Sequence, residues 1–536
     1  MSEPPLDAAV REWAAVLAPE QVCNDVDRLR EYEANVTAIQ RKIPCVVYPM
    51  STADVVEVVK VANRYRVPLY PISRGMNWGI GSRVPPVSGC AVVDLQRMDR
   101  IHEVSTVGQY AIVEPGVTQR QLADHLREQD LPLLLNVTGS GSGGSVIGNA
   151  LERGIGYFST RADALSGLEI VLGTGEVLQT GFGHYSDCTT THVYRYGHGP
   201  GLDALFFQSN FGIVTRAGVD LMPRQDIYRA AILRIVNERD FAGFVDAVAS
   251  LRNRDIVPGV IHIGNWHRTE CVVGPLARRH LQAQGIPNPD VAQIESFMKQ
   301  EGYGAWSAMI GLSGSGLQVK TLQKEIRRAM PAFVDTIFVD DKRLGLLERL
   351  CRWFPFVPSL SRKRALLPAI KELHGLSVGR PTNETVKSVY WSAGQEIPES
   401  EEMNPDLGNS GMIYVLPMLP MEGRVAREVV GETTRIFMAH DFTPYITINL
   451  IDRKIMEAVI NLSFDRSDAV RTQDAIEAVR ELTSVLRHRG WYPYRLRPDE
   501  MDDFITENDP FWQTARKLKA VFDPHHIIAP GRYNLV

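Results

Sequence analysis

Up to Pro223 the chain alternates short apolar runs with segments of helical period. VVYPM, from Val46, reads as a strand, and TADVVEVVKVANRYR directly after it repeats its apolar residues near helical spacing. Ser51 with Asp54 three residues on has the spacing of a capping box, so the helix is expected to start there. VPLYPI supplies a second strand, which makes a β-α-β unit, and a polar, glycine-rich turn follows at once. CAVVDL and YAIVEP predict further strands, TQRQLADHLREQ a helix, and LPLLL another strand. LEIVL and EVLQT flank Gly-Thr-Gly and predict a hairpin. A helix at LDALFFQSN and a strand at IVTRAGVDLMP close this region, and residues 8–17 predict a short amphipathic helix before it.

From Tyr228 the texture changes to a recurring strand, helix, strand. YRAAILRIVN, DFAGFVDAVASLR and GVIHIGN form one such set; AWSAMIGLSG, LQVKTLQKEIRRA and VDTIFVDD a second; GMIYVLPML, GRVAREVVGETTRIFMAH and YITINLI a third. EAVINLSF and a long helix over 467–488 complete the series. This alternation predicts an α+β unit with helices on one face of an antiparallel sheet. The segment 355–410 is rich in proline and irregular, and is expected to form long loops over a site. The tail FWQTARKLKAVFDPHHIIAPGRYNLV reads as a helix, a turn and an apolar run.

Composition narrows the class. The 536 residues are 44% hydrophobic and 23% charged, which fits a globular protein and excludes a disordered, collagen-like or coiled-coil chain. No apolar run approaches the ~18 residues of a membrane span. The net charge is -5 without a block of Lys or Arg, so no nucleic-acid surface is expected. The acidic start, MSEPPLDAAVREW, lacks the pattern of a secretory signal, and a cytoplasmic protein is expected. The 6 cysteines lie far apart without a CxxC pair, as reduced thiols would, and no metal site is expected.

Two loops carry candidate chemistry. PISRGMNWGIG, from Pro71 to Gly81, follows a strand; its glycines let the backbone approach a ligand and turn N–H groups toward phosphate oxygens, with Arg74 adding charge. It is not a GxGxxG fingerprint, and by itself it is equally a surface turn. Gly139–Asn149 holds five glycines with serines between them, and runs on into ALERGIGY. Two such loops in one β-rich region point to a phosphate-bearing cofactor.

YPISRGMNWGIGS, VVDLQRMDRI, AIVEPGVT, SGGSVIGNALERGIGY, LEIVLGTGEVLQTG, FFQSNFGIVT and DPHHIIAPGR, in this order, resemble the vanillyl-alcohol oxidase / p-cresol methylhydroxylase flavoprotein family. VYWSAGQEIPESEEMNPDLGNSGMIYVLPMLP and GWYPYRLRPDEMDDF resemble its aryl-alcohol and alkylphenol branch. The resemblance implies an α+β fold: a two-part FAD-binding domain from residues 1–224 (core about 42–224) and the returning tail 498–536, with a cap domain, 225–497, whose antiparallel sheet is covered by helices. Pro71, Ile72, Ser73, Arg74, Gly75, Met76 and Asn77 would wrap the pyrophosphate, and a side chain at Gly75 would block it. Glu114, Pro115, Gly116, Gly143, Gly144, Ser145, Asn149, Gly212, Ile213 and Val214 would lie along the dinucleotide. Arg532 would reach back to the flavin, the alternative being a solvated C-terminal arginine. Hydride would pass from a small aromatic, alcohol or amine substrate to flavin N5, with O2 or an electron carrier as acceptor and a homodimer as the assembly.

The sequence also departs from that pattern. The covalent flavin attachment of relatives is anchored at Ala458, in EAVINLSF, with no His, Tyr or Cys between Ile446 and Val470; nor does the first loop contain His or the second Cys. Non-covalent FAD is therefore expected. Tyr494 and Arg495 match two of three groups that bind a phenolate in relatives, while the third position is Ile80. The position of an Asp that serves as base or tunes the ring reads as Ser140, which leaves the base unidentified. Tyr157 is expected to face substrate, partly ionised near an arginine, or else to be a core aromatic; Tyr414 is equally a pocket or a sheet residue. His525 and His526 point apart, and His262 and His267 read as structural or surface residues. An FAD-dependent α-hydroxy-acid dehydrogenase and a catalytically silent flavin-binding protein remain as alternatives.

Overall fold

The computed structural model describes residues 5–354, 356–400 and 402–535. Ser51 caps the helix Thr52–Tyr65 as its spacing predicts, its hydroxyl accepting the Asp54 N–H at 3.1 Å. Val55, Val58, Val59, Val61 and Ala62 turn inward, and Arg66, at φ 57°, ends the helix. The N-terminal helix Pro5–Val16 lies against it, with Trp13 fully buried and its Nε1 donating to Val58 O at 3.1 Å. The crossover makes the flanking strands parallel: Val46–Val47 and Leu69–Ile72 each pair parallel with Ala91–Asp94.

A second sheet is wholly antiparallel, in the order Ile101–Ser105, Tyr110–Val113, Gly212–Asp220, Leu165–Leu172, Val177–Gln179, and contains the expected hairpin. The strand expected at LPLLL shrinks to Leu133–Leu134, paired with Met222–Pro223. LDALFFQSN forms only the 3-10 turn Asp203–Phe206. Its Phe206 and Phe207 are drawn into the core, and Gln208 takes φ 46°, which a continuing helix forbids.

The eight-stranded sheet is antiparallel throughout, in the order Asp335–Val339, Ile227–Ile235, Trp306–Gly314, Ile261–Asn265, Tyr445–Leu450, Ile455–Asp465, Ser410–Val415, with Met418–Pro420 also on the Ile455 strand. The helices Phe241–Asn253, Gly423–Ala439 and Ala469–His488 cover one face through Phe244, Val248, Val429, Phe437 and Leu482, all fully buried. Strand alternation sends Met456, Ala458, Ile460 and Leu462 into that core, and so leaves Glu457 and Val459 for the opposite face. These sheets carry the α+β fold expected from the sequence.

The 355–410 segment is not the loop region expected. It contains the helices Pro358–Leu376 and Glu384–Ser392, and Trp266–Ala283 is a further helix the pattern did not reveal. Pro358 stands at the first helical positions, where its missing N–H costs nothing. In the tail, the helix Pro510–Phe522 holds Lys519, whose Nζ meets Asp523 at 2.7 Å, both side chains fully buried. The chain then runs beside the first sheet: Leu69 N donates to Ile527 O and Ala529 N to Leu69 O, each at 2.7 Å.

Candidate active site

The two glycine loops, the Gly212 strand, the tail and the free face of the eight-stranded sheet enclose one cleft, with about 1820 Å³ of empty volume, some of it open to solvent. Pro71, Ile72, Ser73, Arg74, Gly75, Met76 and Asn77 all line it. Asn77 O closes this loop by accepting the N–H groups of Ile80 and Ser82, at 3.1 and 3.0 Å. Ser140, Gly144, Ser145 and Asn149 line it from the second loop, followed by Gly212, Ile213 and Val214. The loops meet at Gly148, where a Cβ would stand 2.7 Å from Ser73 Oγ.

Some expected contacts lie elsewhere. Glu114 turns away from the cleft, accepting the Arg100 N–H at 2.9 Å and facing His102 Nε2 at 3.0 Å. Gly116 packs on backbone, where a Cβ would stand 2.5 Å from Gln96 O; Pro115 spends its carbonyl on Ser145 Oγ at 2.6 Å; and Gly143 sits behind Met76. Gly75 has φ +64°, and a Cβ there would strike Arg83 Cγ at 2.3 Å, so its requirement is the backbone turn rather than room for a ligand.

The cap supplies the polar end of the cleft. Tyr494 N donates to Leu416 O at 3.2 Å and Tyr494 O accepts from Gln208 Nε2 at 3.0 Å, which joins the two halves of the chain. Arg495 donates its Nε to Glu152 O, while Arg532 pairs with the Glu152 carboxylate and donates to Tyr70 Oη at 3.2 Å. Arg532 is thus a cleft residue, 13% exposed, and not a solvated terminal side chain. Tyr414 lays its ring on Gly79, where a Cβ would stand 2.3 Å from Cδ2, beside the apolar wall of Ile80.

Glu457 lines this end and is 2% exposed. Asn449 Nδ2 donates to its Oε2 at 3.0 Å. Burial pushes its carboxyl up to about 7, against the hydrogen bond from Asn449, the charge of Arg495 and the hydrogen bond from Tyr494. Ser140 brings no carboxylate to the cleft, its Oγ lying 2.7 Å from Thr138 Oγ1, whereas the cap does. Ala458, the anchor for covalent attachment, faces the cap core, so it says nothing about the flavin. Tyr157 stands behind Gly139, a Cβ there being 4.0 Å from its Oη, and burial pushes its phenol up to about 12 against the nearby charge of Arg268. Burial thus favours the neutral phenol over the partly ionised one expected. Burial raises the Tyr494 phenol as well, outweighing Arg495.

Two polar atoms of the lining have no partner although buried: Asn149 Oδ1 and Arg495 Nη2. Together with the glycine-lined floor, they fit an elongated, polar cofactor such as FAD. When bound, FAD would supply the hydride acceptor, and Ser73, Arg74, Asn77, Asn149 and Arg532, which all line the cleft, would hold its polar groups.

Comparison with known proteins supports the cofactor itself. Residues 43–181 match the family described as FAD binding domain. The chain is 30% identical over 538 residues to 1'-carboxy-chondrochloren decarboxylase of Chondromyces crocatus, covering 100% of this chain and 98% of that one. It is 26% identical to the flavoprotein subunit of 4-cresol dehydrogenase [hydroxylating] of Pseudomonas putida, covering 98% and 94%. The structure of 4-ethylphenol oxidase from Gulosibacter chungangensis, an isoeugenol complex, superposes with a TM-score of 0.86 at 26% identity, over 100% and 98% of the chains. Substrate-bound p-cresol methylhydroxylase shares the fold, with a TM-score of 0.83 at 24% identity over 99% and 97%. No helix among the described residues is long and apolar enough to cross a membrane. With relatives matched end to end and a cleft that fits their cofactor, the chain belongs to the vanillyl-alcohol oxidase / p-cresol methylhydroxylase family and is an FAD-dependent oxidoreductase of small organic molecules.

Proposed function

We propose that the enzyme oxidises a phenol carrying a saturated carbon para to its hydroxyl, with Glu457 as the proton acceptor. The carrying observation is the buried carboxylate of Glu457, poised near neutrality between Asn449, Tyr494 and Arg495. A neutral phenol entering this end gives its proton to Glu457, while Arg495 and Tyr494 hold the oxygen that becomes negative. The hydride leaves the saturated carbon bonded at the para position, and loss of one proton and one hydride leaves a neutral quinone methide. An α-hydroxy acid fits less well, because Glu152 and Glu457 already answer the charge of Arg495. In this reading FAD is dissociable, held by residues 1–224 and 498–536 beneath a cap of 225–497, and O2 reoxidises it, as the name of the 4-ethylphenol oxidase neighbour suggests. Among the described residues no His or Cys lines the cleft, which speaks against a link through either. The test is anaerobic mixing with 4-alkylphenols and with 2-hydroxy acids. Phenols should bleach the flavin, faster as pH rises through about 7; bleaching by 2-hydroxy acids alone would overturn the reading.

A second reading, oxidative decarboxylation, is favoured by Arg268. Its charge acts on the phenols of both Tyr157 and Tyr414, and no hydrogen bond or ion pair engages its guanidinium among the described residues. A carboxylate on the carbon next to the oxidised one would be drawn toward that charge, which acts on the lining residue Tyr414. After hydride loss the bond to the carboxylate breaks, CO2 departs, and the electron pair left behind restores the aromatic ring. The name of the decarboxylase relative agrees with this chemistry. Release of one CO2 per flavin reduced, lost in Arg268→Met, is the expected result; bleaching without CO2 would leave the simple oxidation.

A further inference from the structure

His262, Asn449 and Glu457 stand in one row across three adjacent strands. His262 is the cross-strand partner of Asn449, and Asn449 of Glu457. His262 Nδ1 lies 2.8 Å from Asn449 Oδ1, and Asn449 Nδ2 lies 3.0 Å from Glu457 Oε2. Chemistry fixes the protons along this row. An ionised carboxylate only accepts, so Asn449 turns its NH2 to Glu457 and its oxygen to His262. That oxygen also only accepts, so His262 carries its proton on Nδ1. His262 Nε2 is then a bare lone pair. It is buried without a partner, and its ring packs on Tyr157 with centroids 4.5 Å apart.

We infer that His262 and Asn449 are positioning residues: His262 locks the Asn449 amide, which occupies Glu457 Oε2 and leaves Oε1 as the atom that takes the substrate proton. This rests on the reading of Glu457 given above. The lock holds across the working range, because burial drives the His262 imidazole down to about 4 against the pull of Asn449, so it stays neutral and a single tautomer. Around Glu457 the other polar groups are Tyr494 and Arg495 on the loop after the last cap helix and Tyr414 on the neighbouring strand; none of them fixes the amide.

The test reads the pH midpoint of anaerobic flavin reduction in the FAD-loaded enzyme, with a 4-alkylphenol as the probe. Asn449→Ala removes a hydrogen bond that favours the ionised carboxyl, and should raise the midpoint by roughly one pH unit, a charge-assisted bond being worth at least that much. His262→Phe keeps the ring on Tyr157 but frees the amide, and should move the midpoint in the same direction. Since His262 acts through Asn449, adding His262→Phe to Asn449→Ala should move it no further. An unchanged midpoint in folded His262→Phe, or shifts that add in the double variant, would overturn the inference; His262→Leu serves the same test if the phenylalanine does not fit. The pH dependence of melting temperature, taken against Glu457→Gln in each background, gives the same midpoint without substrate. If Glu457→Gln leaves the parent profile intact, the reading of Glu457 fails; if it abolishes the profile while His262→Phe moves nothing, only the positioning pair fails.

Discussion

Glu457→Gln should make the protein more stable at alkaline pH. The folded carboxyl is raised from 4.5 to about 7. A group raised in this way contributes stability that is complete below 4.5 and is lost as pH climbs through about 7, because the ionised form must stay buried. At ~1.36 kcal/mol per unit the loss by pH 8 is about 3 kcal/mol. Glutamine is nearly isosteric, stays neutral, and can still face Asn449 and Tyr494. The variant should therefore lie within about 1 kcal/mol of the parent near pH 5 and exceed it by up to about 3 kcal/mol near pH 8, while its flavin reduction falls sharply for want of a proton acceptor. Denaturant titrations from pH 5 to 8.5, with FAD in equal excess so that cofactor binding does not differ, read the first effect. Anaerobic stopped flow reads the second. A variant less stable than the parent at pH 8, or a difference that ignores pH, would refute the placement of a buried, ionising Glu457 in the cleft.

Three further outcomes are expected. Acid precipitation should leave the flavin in the supernatant; colour retained in the pellet would establish a covalent bond. Gly148→Val should fold yet hold little FAD, because its side chain would push Ser73 away and part the two loops; full flavin content by absorbance would count against the loops as the cofactor floor. Arg495→Met should keep fold and FAD while losing roughly 1.5–3 kcal/mol of substrate interaction, about ten- to a hundredfold in flavin reduction at limiting substrate. If it melts lower but reduces its flavin at the parent rate, Arg495 serves only to bind Glu152.

The cofactor half of the cleft was legible because its chemistry is written in backbone. Close approach requires glycine, so runs such as Gly139–Asn149 stand out in any apolar context. The cap half was not legible, because its chemistry is written in strand register. In EAVINLSF, Ala458 and Glu457 are neighbours in sequence but face opposite sides of the sheet, and the family pattern led to the side that meets the core. A carboxylate flanked by apolar residues in a strand was the available signal, since such a group is buried only where something answers it. His262 lacked even that, as its partner lies 187 residues away. The helices of 355–410 were missed for another reason. Proline reads as a loop signal, and nothing in the sequence tells a helix-starting Pro358 from a turn.

The pairing of Leu69 with Ile527 and Ala529 has a consequence for how the enzyme is made. The strand that carries the first glycine loop leaves the ribosome long before its neighbours Ile527 to Ala529 and Arg532 beyond them. The nascent chain must therefore wait with that edge uncovered, and the cofactor site is completed only once Arg532 has been made. A chain cut short before Ile527, or one from which a protease has removed that segment, should be unable to retain its flavin. Possession of the cofactor thereby reports that both distant segments are present.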